Sequence, residues 1–148
     1  MERLIRPMQA RDIPACLELW REVEGIVLRD ESDNAPALET FLARTPDLSF
    51  VAEDGPHIIG SILCGHDGRR AHVYHLAVRQ GLRRARCATA LFNASLEAIR
   101  AQGITRCHAY VRARNLTALK FWSSVEARLR RDIHVVTLQI DPSALSGA

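Results

Sequence analysis

Arg79, Arg83, Arg84 and Arg86 fall within the stretch VYHLAVRQGLRRARCATALF (73–92). Guanidinium groups present paired donors that match phosphate oxygens, and each charge-assisted hydrogen bond is worth roughly 1.5–3 kcal/mol. The period of the chain changes around this cluster. Residues up to Val78 alternate as a strand does, and beyond the arginines the apolar residues recur at helical spacing. A helix N-terminus adds unpaired backbone amides and a positive dipole end. The chemistry on offer is binding of a di- or polyphosphate group, and a solvated basic turn is the alternative reading of the same residues.

Other reactive types point nowhere so specific. His57, His66, His72, His108 and His134 make no HxxxH or HxxE pair, so no metal site is expected. Cys16, Cys64, Cys87 and Cys107 form no CxxC pair and sit at apolar positions, which predicts reduced, buried thiols. Cys87 stands beside the arginines at a helix start, a setting that lowers a thiol pKa, yet its expected role is packing against the sheet. No GxSxG nucleophile elbow occurs.

The elements that position these residues follow from period and punctuation. Residues 2–7 read as a short strand ended by Pro7. Asp12 and Pro14 open a helix with Ile13, Cys16, Leu17, Trp20 and Val23 on one side. A second helix is expected over 35–44, capped by Asn34. Three strands follow, 48–54, 57–67 and 70–79, joined at Asp54-Gly55 and Asp67-Gly68. A long helix carries Ala88, Leu91, Phe92, Ser95, Ile99 and Gln102 on one face and ends at Gly103. Residues 104–111 read as a strand, Asn115 caps a last helix, and 129–140 reads as one or two closing strands. The expected class is α+β (mixed α/β), a central, mostly antiparallel twisted sheet of about six or seven strands flanked by about four helices.

The chain has 148 residues, 47% hydrophobic and 25% charged, which fits one globular domain spanning 1–148. Its 20 basic side chains, all arginine except Lys120, are nearly balanced by 17 acidic ones. That balance argues against nucleic acid as a partner. The longest apolar run falls far short of the ~18 residues needed to cross a membrane. The N-terminus MERLIRPMQARD has no apolar signal core, so a cytoplasmic location is expected.

Taken in order, the elements and residues resemble the GNAT superfamily of N-acetyltransferases, over roughly residues 3–140. That family's phosphate loop reads Gln/Arg-x-x-Gly-x-Gly/Ala, and the matching stretch is Arg83 to Ala88. His75 to Val78 is similar to the family's splayed strand end, and Asn115, Ala118, Phe121 and Trp122 to its Asn…Ala…Phe-Tyr motif. VRARN (111–115) resembles the ribosomal-protein N-terminal acetyltransferase branch. The resemblance implies acetyl-CoA as cosubstrate. Arg83, Arg84 and the amides of Ala85, Arg86, Cys87 and Ala88 would hold the pyrophosphate. Leu76, Ala77 and Val78 would hold the pantetheine arm, and Asn115 and Phe121 would line the far side. The acceptor would be a primary amine, on a small molecule or a protein, and the assembly a monomer or homodimer.

The family's loop glycines fall at Arg84 and Arg86, its general-acid tyrosine at Trp122, and its helix-exit glycine at Glu126, where a different exit is expected. An indole N–H cannot protonate a thiolate, so Trp122 reads as core or as a wall of the cofactor slot. Tyr110 stands where the ribosomal-protein branch often has Glu, as acid or amine-orienting group, with a packing role as its alternative. His75 titrates in the right range for a base, with a satisfied core histidine as its alternative. Glu22, Glu24, Asp30 and Glu31 suggest an acidic acceptor mouth. The alternative function is a catalytically impaired CoA-binding or protein-interaction module on the same fold.

Overall fold

The computed structural model describes residues 3–81 and 84–141, apart from the side chains of 3, 84 and 85. The chain runs β1 (Arg3–Pro7), a short 3-10 turn (Ala10–Asp12), α1 (Ile13–Glu22), α2 (Ala35–Arg44), β2 (Phe50–Asp54), β3 (His57–His66), β4 (Ala71–Val78), α3 (Arg84–Ala101), β5 (Cys107–Ala109) and α4 (Leu116–Ser124). Local chemistry explains most boundaries. The Asn34 side chain accepts from the Ala37 N–H at 2.9 Å, and the Asn115 side chain from the Ala118 N–H at 3.1 Å. Asp67 Oδ1 accepts from the N–H groups of Arg69 and Arg70, which closes the β3–β4 turn.

The strands form one sheet in the order β1-β2-β3-β4-β5, antiparallel except for the parallel β4–β5 pair. Neighbouring strand residues point to opposite faces, and the burial follows that rule. Ala52, Ile62 and Val78 pack with Cys87, Leu91 and Ile99 of α3. Val51, Leu63 and Ala77 pack with Ile13, Cys16 and Trp20 of α1 and Leu38 of α2. The sheet is thus covered on both faces, and every residue of β3 from Ile59 to Gly65 is buried. Ser95, on the buried face of α3, donates its hydroxyl to the Leu48 carbonyl at 2.7 Å. Gly60 lets this layer close up, because a Cβ there would lie 3.0 Å from Leu91 Cδ1. Among the described residues no helix is long and apolar enough to cross a membrane.

Three expectations change. The strand expected over 104–111 is only Cys107–Ala109, and 129–140 forms no strand, so the described sheet has five strands rather than six or seven. Val135, Val136, Leu138 and Ile140 are strongly exposed. A β-prone sequence becomes a strand only where a neighbouring edge accepts its hydrogen bonds, and here none of the five strands pairs with it. Asp12 stands at the α1 N-cap position but makes no forward cap. Its carboxylate turns back instead, accepting from the Gln9 N–H at 2.8 Å and from both terminal nitrogens of Arg6 at 2.8 Å. Arg6 also pairs with Glu53 of β2.

This bidentate pair stitches β1 to the start of α1. Burial pushes the Asp12 carboxyl up, but Arg6 and the Gln9 amide outweigh it and hold it below the usual carboxylate range. A carboxylate shifted down stabilises the fold above its unfolded value, near pH ~4, and loses that contribution as pH falls through its folded value. Arg6→Met should therefore cost about 3 kcal/mol at neutral pH, and part of the loss of stability below about pH 4 should vanish with it. Urea denaturation as a function of pH measures both; equal stability of the variant at pH 7 would contradict the account.

Candidate active site

Pairing between β4 and β5 stops early. Ala71, His72 and Val73 stand beside Cys107, His108 and Ala109, and β4 then continues to Val78 with no β5 partner. On its other edge, β4 carries a bulge. Ser61 pairs with Ala77 and Leu63 with Tyr74, which leaves His75 and Leu76 opposite Ile62 alone. His75 takes φ +48, in the left-handed region that non-glycine residues seldom enter. A cavity of about 720 Å³ opens where the strands part. Tyr74, His75 and Leu76 form one wall, Tyr110 and Arg112 another, Asn115 and Trp122 a third, and the α1–α2 loop closes it with Arg29, Glu31 and Asp33.

The His75 ring is held from two sides. Its Nε2 lies 2.8 Å from Asp33 Oδ1, and the Trp20 ring packs against it with centroids 4.7 Å apart. Trp20, fully buried on α1, donates its indole N–H to Ser61 Oγ at 2.8 Å, and that hydroxyl donates to the His75 carbonyl. Asp33 Oδ2 accepts from the Arg29 N–H at 2.7 Å. Burial raises the Asp33 carboxyl, but the His75 side chain and the Arg29 amide more than offset it and hold it below the usual range. Asp33 carried no local signal of its own, being 42 residues from its partner in sequence.

An aromatic group borders the cavity through Tyr74 and Tyr110. His72-x-Tyr74 on β4 faces His108-x-Tyr110 on and just beyond β5, and strand alternation puts all four rings on one side. Tyr74 and Tyr110 stack with centroids 5.5 Å apart and planes 12° from parallel. His72 stacks on Tyr110 at 6.0 Å, with its Nδ1 3.4 Å from the Tyr110 hydroxyl. Burial and the neighbouring Tyr110 push the Tyr74 hydroxyl above its ordinary value.

The chain matches known proteins in sequence and in overall fold. Residues 13–125 match the acetyltransferase (GNAT) family. The chain belongs to the GNAT acetyltransferase family. Acetyl transfer is the chemistry that membership brings. An acetyltransferase of Pectobacterium atrosepticum is 31% identical over 122 residues, covering 82% of this chain and 85% of the relative. One from Sodalis glossinidius is 28% identical over 129 residues, covering 87% and 89%. In fold, the chain is similar to the PaiA N-acetyltransferase of Thermoplasma acidophilum, solved with coenzyme A (TM-score 0.74, 19% identity, 84% of this chain and 89% of that one). It is also similar to the diaminobutyrate acetyltransferase EctA of Paenibacillus lautus, solved with its substrate and coenzyme A (TM-score 0.71, 23% identity, 84% and 74%).

Against the GNAT pattern, His75, Leu76, Tyr110 and Asn115 come together on the one cavity. Ala77 and Val78 are buried, one in each core layer. Arg83 lies outside the described residues. Arg84 and Ala85 begin α3, and Arg86 is an exposed residue within it. Cys87 is buried against the sheet, and a Cβ on Gly60 would come within 3.3 Å of its sulfur. Ala88 packs on the α3-side core. Phe121 meets Trp122 edge-on, and it is Trp122 that reaches the cavity. Glu126 keeps φ +68, so the helix exit takes the left-handed turn in spite of the missing glycine. Of the acidic residues expected at an acceptor mouth, Glu31 lines the cavity, whereas Glu22, Glu24 and Asp30 do not. The other three cysteines are unbridged, and burial lifts the thiols of Cys16 and Cys64 to about 12 and of Cys107 to about 11.

The α1–α2 loop also meets α4. Gly25 has φ +93, and a Cβ there would overlap the side-chain amide of Asn115, the α4 cap. Gly25→Ala therefore combines left-handed strain of about 1–2 kcal/mol with displacement of that cap, itself worth about 1 kcal/mol. Urea denaturation should show a loss of about 2 kcal/mol. A loss no larger than that of an exposed Gly68→Ala control would contradict the contact, since Gly68 shares φ +93 but has open space around it.

Proposed function

We propose that this chain is an acetyl-CoA-dependent N-acetyltransferase that passes the acetyl group to a primary amine by direct attack on the thioester. The observation that carries the reading is the gap between β4 and β5, where residues 74–78 keep one edge of their backbone free of β5. An extended pantetheine arm carries amide groups that pair with such an edge, in place of the missing strand. The cavity of about 720 Å³ is large enough for the thioester end of the arm together with an amine. The coenzyme A held by the PaiA and EctA structures, and the diamino acid held by EctA, support the same assignment.

The residues divide the work as follows. A backbone N–H of the bulge near Leu76 polarises the thioester carbonyl, which needs no side chain. His75 takes the proton from the amine nitrogen as the C–N bond forms. The C–S bond breaks, and the Tyr110 hydroxyl supplies a proton to the departing thiolate, which leaves as the free thiol. On the acceptor side the carboxylates of Glu31 and Asp33 stand with the guanidinium groups of Arg29 and Arg112, so the lining offers partners of both signs to an acceptor. Arg83, Arg84 and the amides at the start of α3 hold the pyrophosphate.

Acetyl-CoA at 100 times its Kd should add about 2.7 kcal/mol to the stability of the protein. CoA release should follow addition of a primary amine from a panel of 1,3-diaminopropane, lysine and an alanyl peptide. His75→Gln should keep the thermal shift and lose about 10²-fold or more in kcat. Absence of any shift at millimolar acetyl-CoA would overturn the reading, and a shift without turnover would favour the impaired binding module.

A further inference from the structure

Asp33 belongs to the α1–α2 loop, outside every motif that drew attention to the site, yet its carboxylate meets His75 at 2.8 Å. The two side chains are 9% and 19% exposed, so water competes little for this contact. An ionised carboxylate can only accept a hydrogen bond. The imidazole nitrogen it meets is Nε2, so Nε2 must carry a hydrogen, and in the neutral ring the remaining nitrogen, Nδ1, is then the basic one. Three further features fix the pair. Asp33 is clamped by the Arg29 N–H at 2.7 Å. Trp20 packs on the His75 ring at 4.7 Å. The His75 backbone sits at φ +48 inside the bulge, a costly conformation that persists where surroundings over-determine it.

Resting on the proposed acetyl transfer, we infer that Asp33 is a positioning residue that holds His75 in the Nε2–H tautomer and leaves Nδ1 to take the proton of the acceptor amine. As the amine attacks, one N–H bond breaks, its proton moves to Nδ1, and the resulting imidazolium keeps its Nε2–H on the Asp33 carboxylate. The carboxylate stays ionised and stabilises the charge that forms on the ring. The same contact ties the acceptor-side loop to β4.

The test separates orientation from a mere tether. Nitrogen-15 shifts of the His75 ring in the full-length protein read the tautomer without any assay of activity. The Nε2–H form is expected in the neutral ring of the wild type, and the Nδ1–H form would overturn the inference even if the enzyme turns over. Kinetics with acetyl-CoA and the fastest amine of the same panel give the second arm. Asp33→Asn still offers a side-chain oxygen to Nε2–H but no charge, and it gives up the acceptor for the Arg29 N–H, which lowers the thermal midpoint. It should lower kcat by about 10²-fold with the KM for acetyl-CoA unchanged, measured at a temperature where the variant is still fully folded, and Asp33→Glu should recover part of that loss. Unchanged kcat in Asp33→Asn, or a fall in stability that accounts for the whole loss, would overturn it. An Nε2–H tautomer in a protein that neither binds acetyl-CoA nor releases CoA would sink the proposed function and leave the positioning geometry standing.

Discussion

The constraint on which the rest depends is that β4 has a partner along only part of its length on the β5 side. Backbone N–H and C=O groups left without partners must meet water or a ligand. In a fully zipped sheet residues 74–78 would be spent on hydrogen bonds to a neighbouring strand. Here β5 is three residues long, and the chain leaves the sheet at Tyr110. The bulge opposite Ile62 adds to this by taking two consecutive residues out of regular alternation. His75 can therefore point into the α1 side of the sheet next to Trp20 while Leu76 packs with the α3-side core. A site that needs both a free backbone and a titrating side chain at the same point is built by these two irregularities together.

The walls around that point come from segments far apart in sequence and are tied to each other rather than only to the sheet. Asp33 binds His75, the Arg29 amide binds Asp33, and Gly25 abuts the Asn115 cap of α4. The loop between α1 and α2 thus touches β4 and α4 at once, across the cavity. Its shape is set by these polar contacts together with Val23, Ile26 and Leu28, which pack half-buried against the α1-side core. None of these loop residues is fully buried, so the segment lies over the core as a surface loop held at several points.

Much of the frame was legible because it is written locally. Asn34 and Asn115 announce helix starts by a side-chain chemistry that works over three residues. Gly55 and Gly68 mark the turns of the meander with positive φ. Leu91, Ser95 and Ile99 show the buried face of α3 through helical spacing. The shortness of β5 and the unpaired 129–140 segment were not legible, since strand propensity says nothing about whether an edge is available. Asp33 was invisible for a related reason: its partner lies 42 residues away, and a single aspartate in a polar loop has no period. Asp12 misled because the residue that caps a helix and the residue that binds an arginine six positions back are the same type. The twin His-x-Tyr segments at 72–74 and 108–110 did carry a readable signal, two alternating strands offering the same rings to the same face.

Of the three positions where this chain departs from family glycines, Arg86 and Glu126 behave differently, and backbone geometry explains why. Arg86 lies inside α3, in a conformation open to every L-residue, and its side chain is exposed. A backbone amide in the first turn of a helix donates equally from arginine or glycine, so the loss of glycine there carries no conformational cost. Glu126 lies at φ +68, where a side chain costs about 1–2 kcal/mol more than glycine. The chain keeps the left-handed exit all the same, because the N–H groups of Val125, Glu126 and Ala127 all return to carbonyls of the last turn of α4. The conformational cost therefore falls at the end of α4, behind Trp122, and not at the helix start where phosphate would bind.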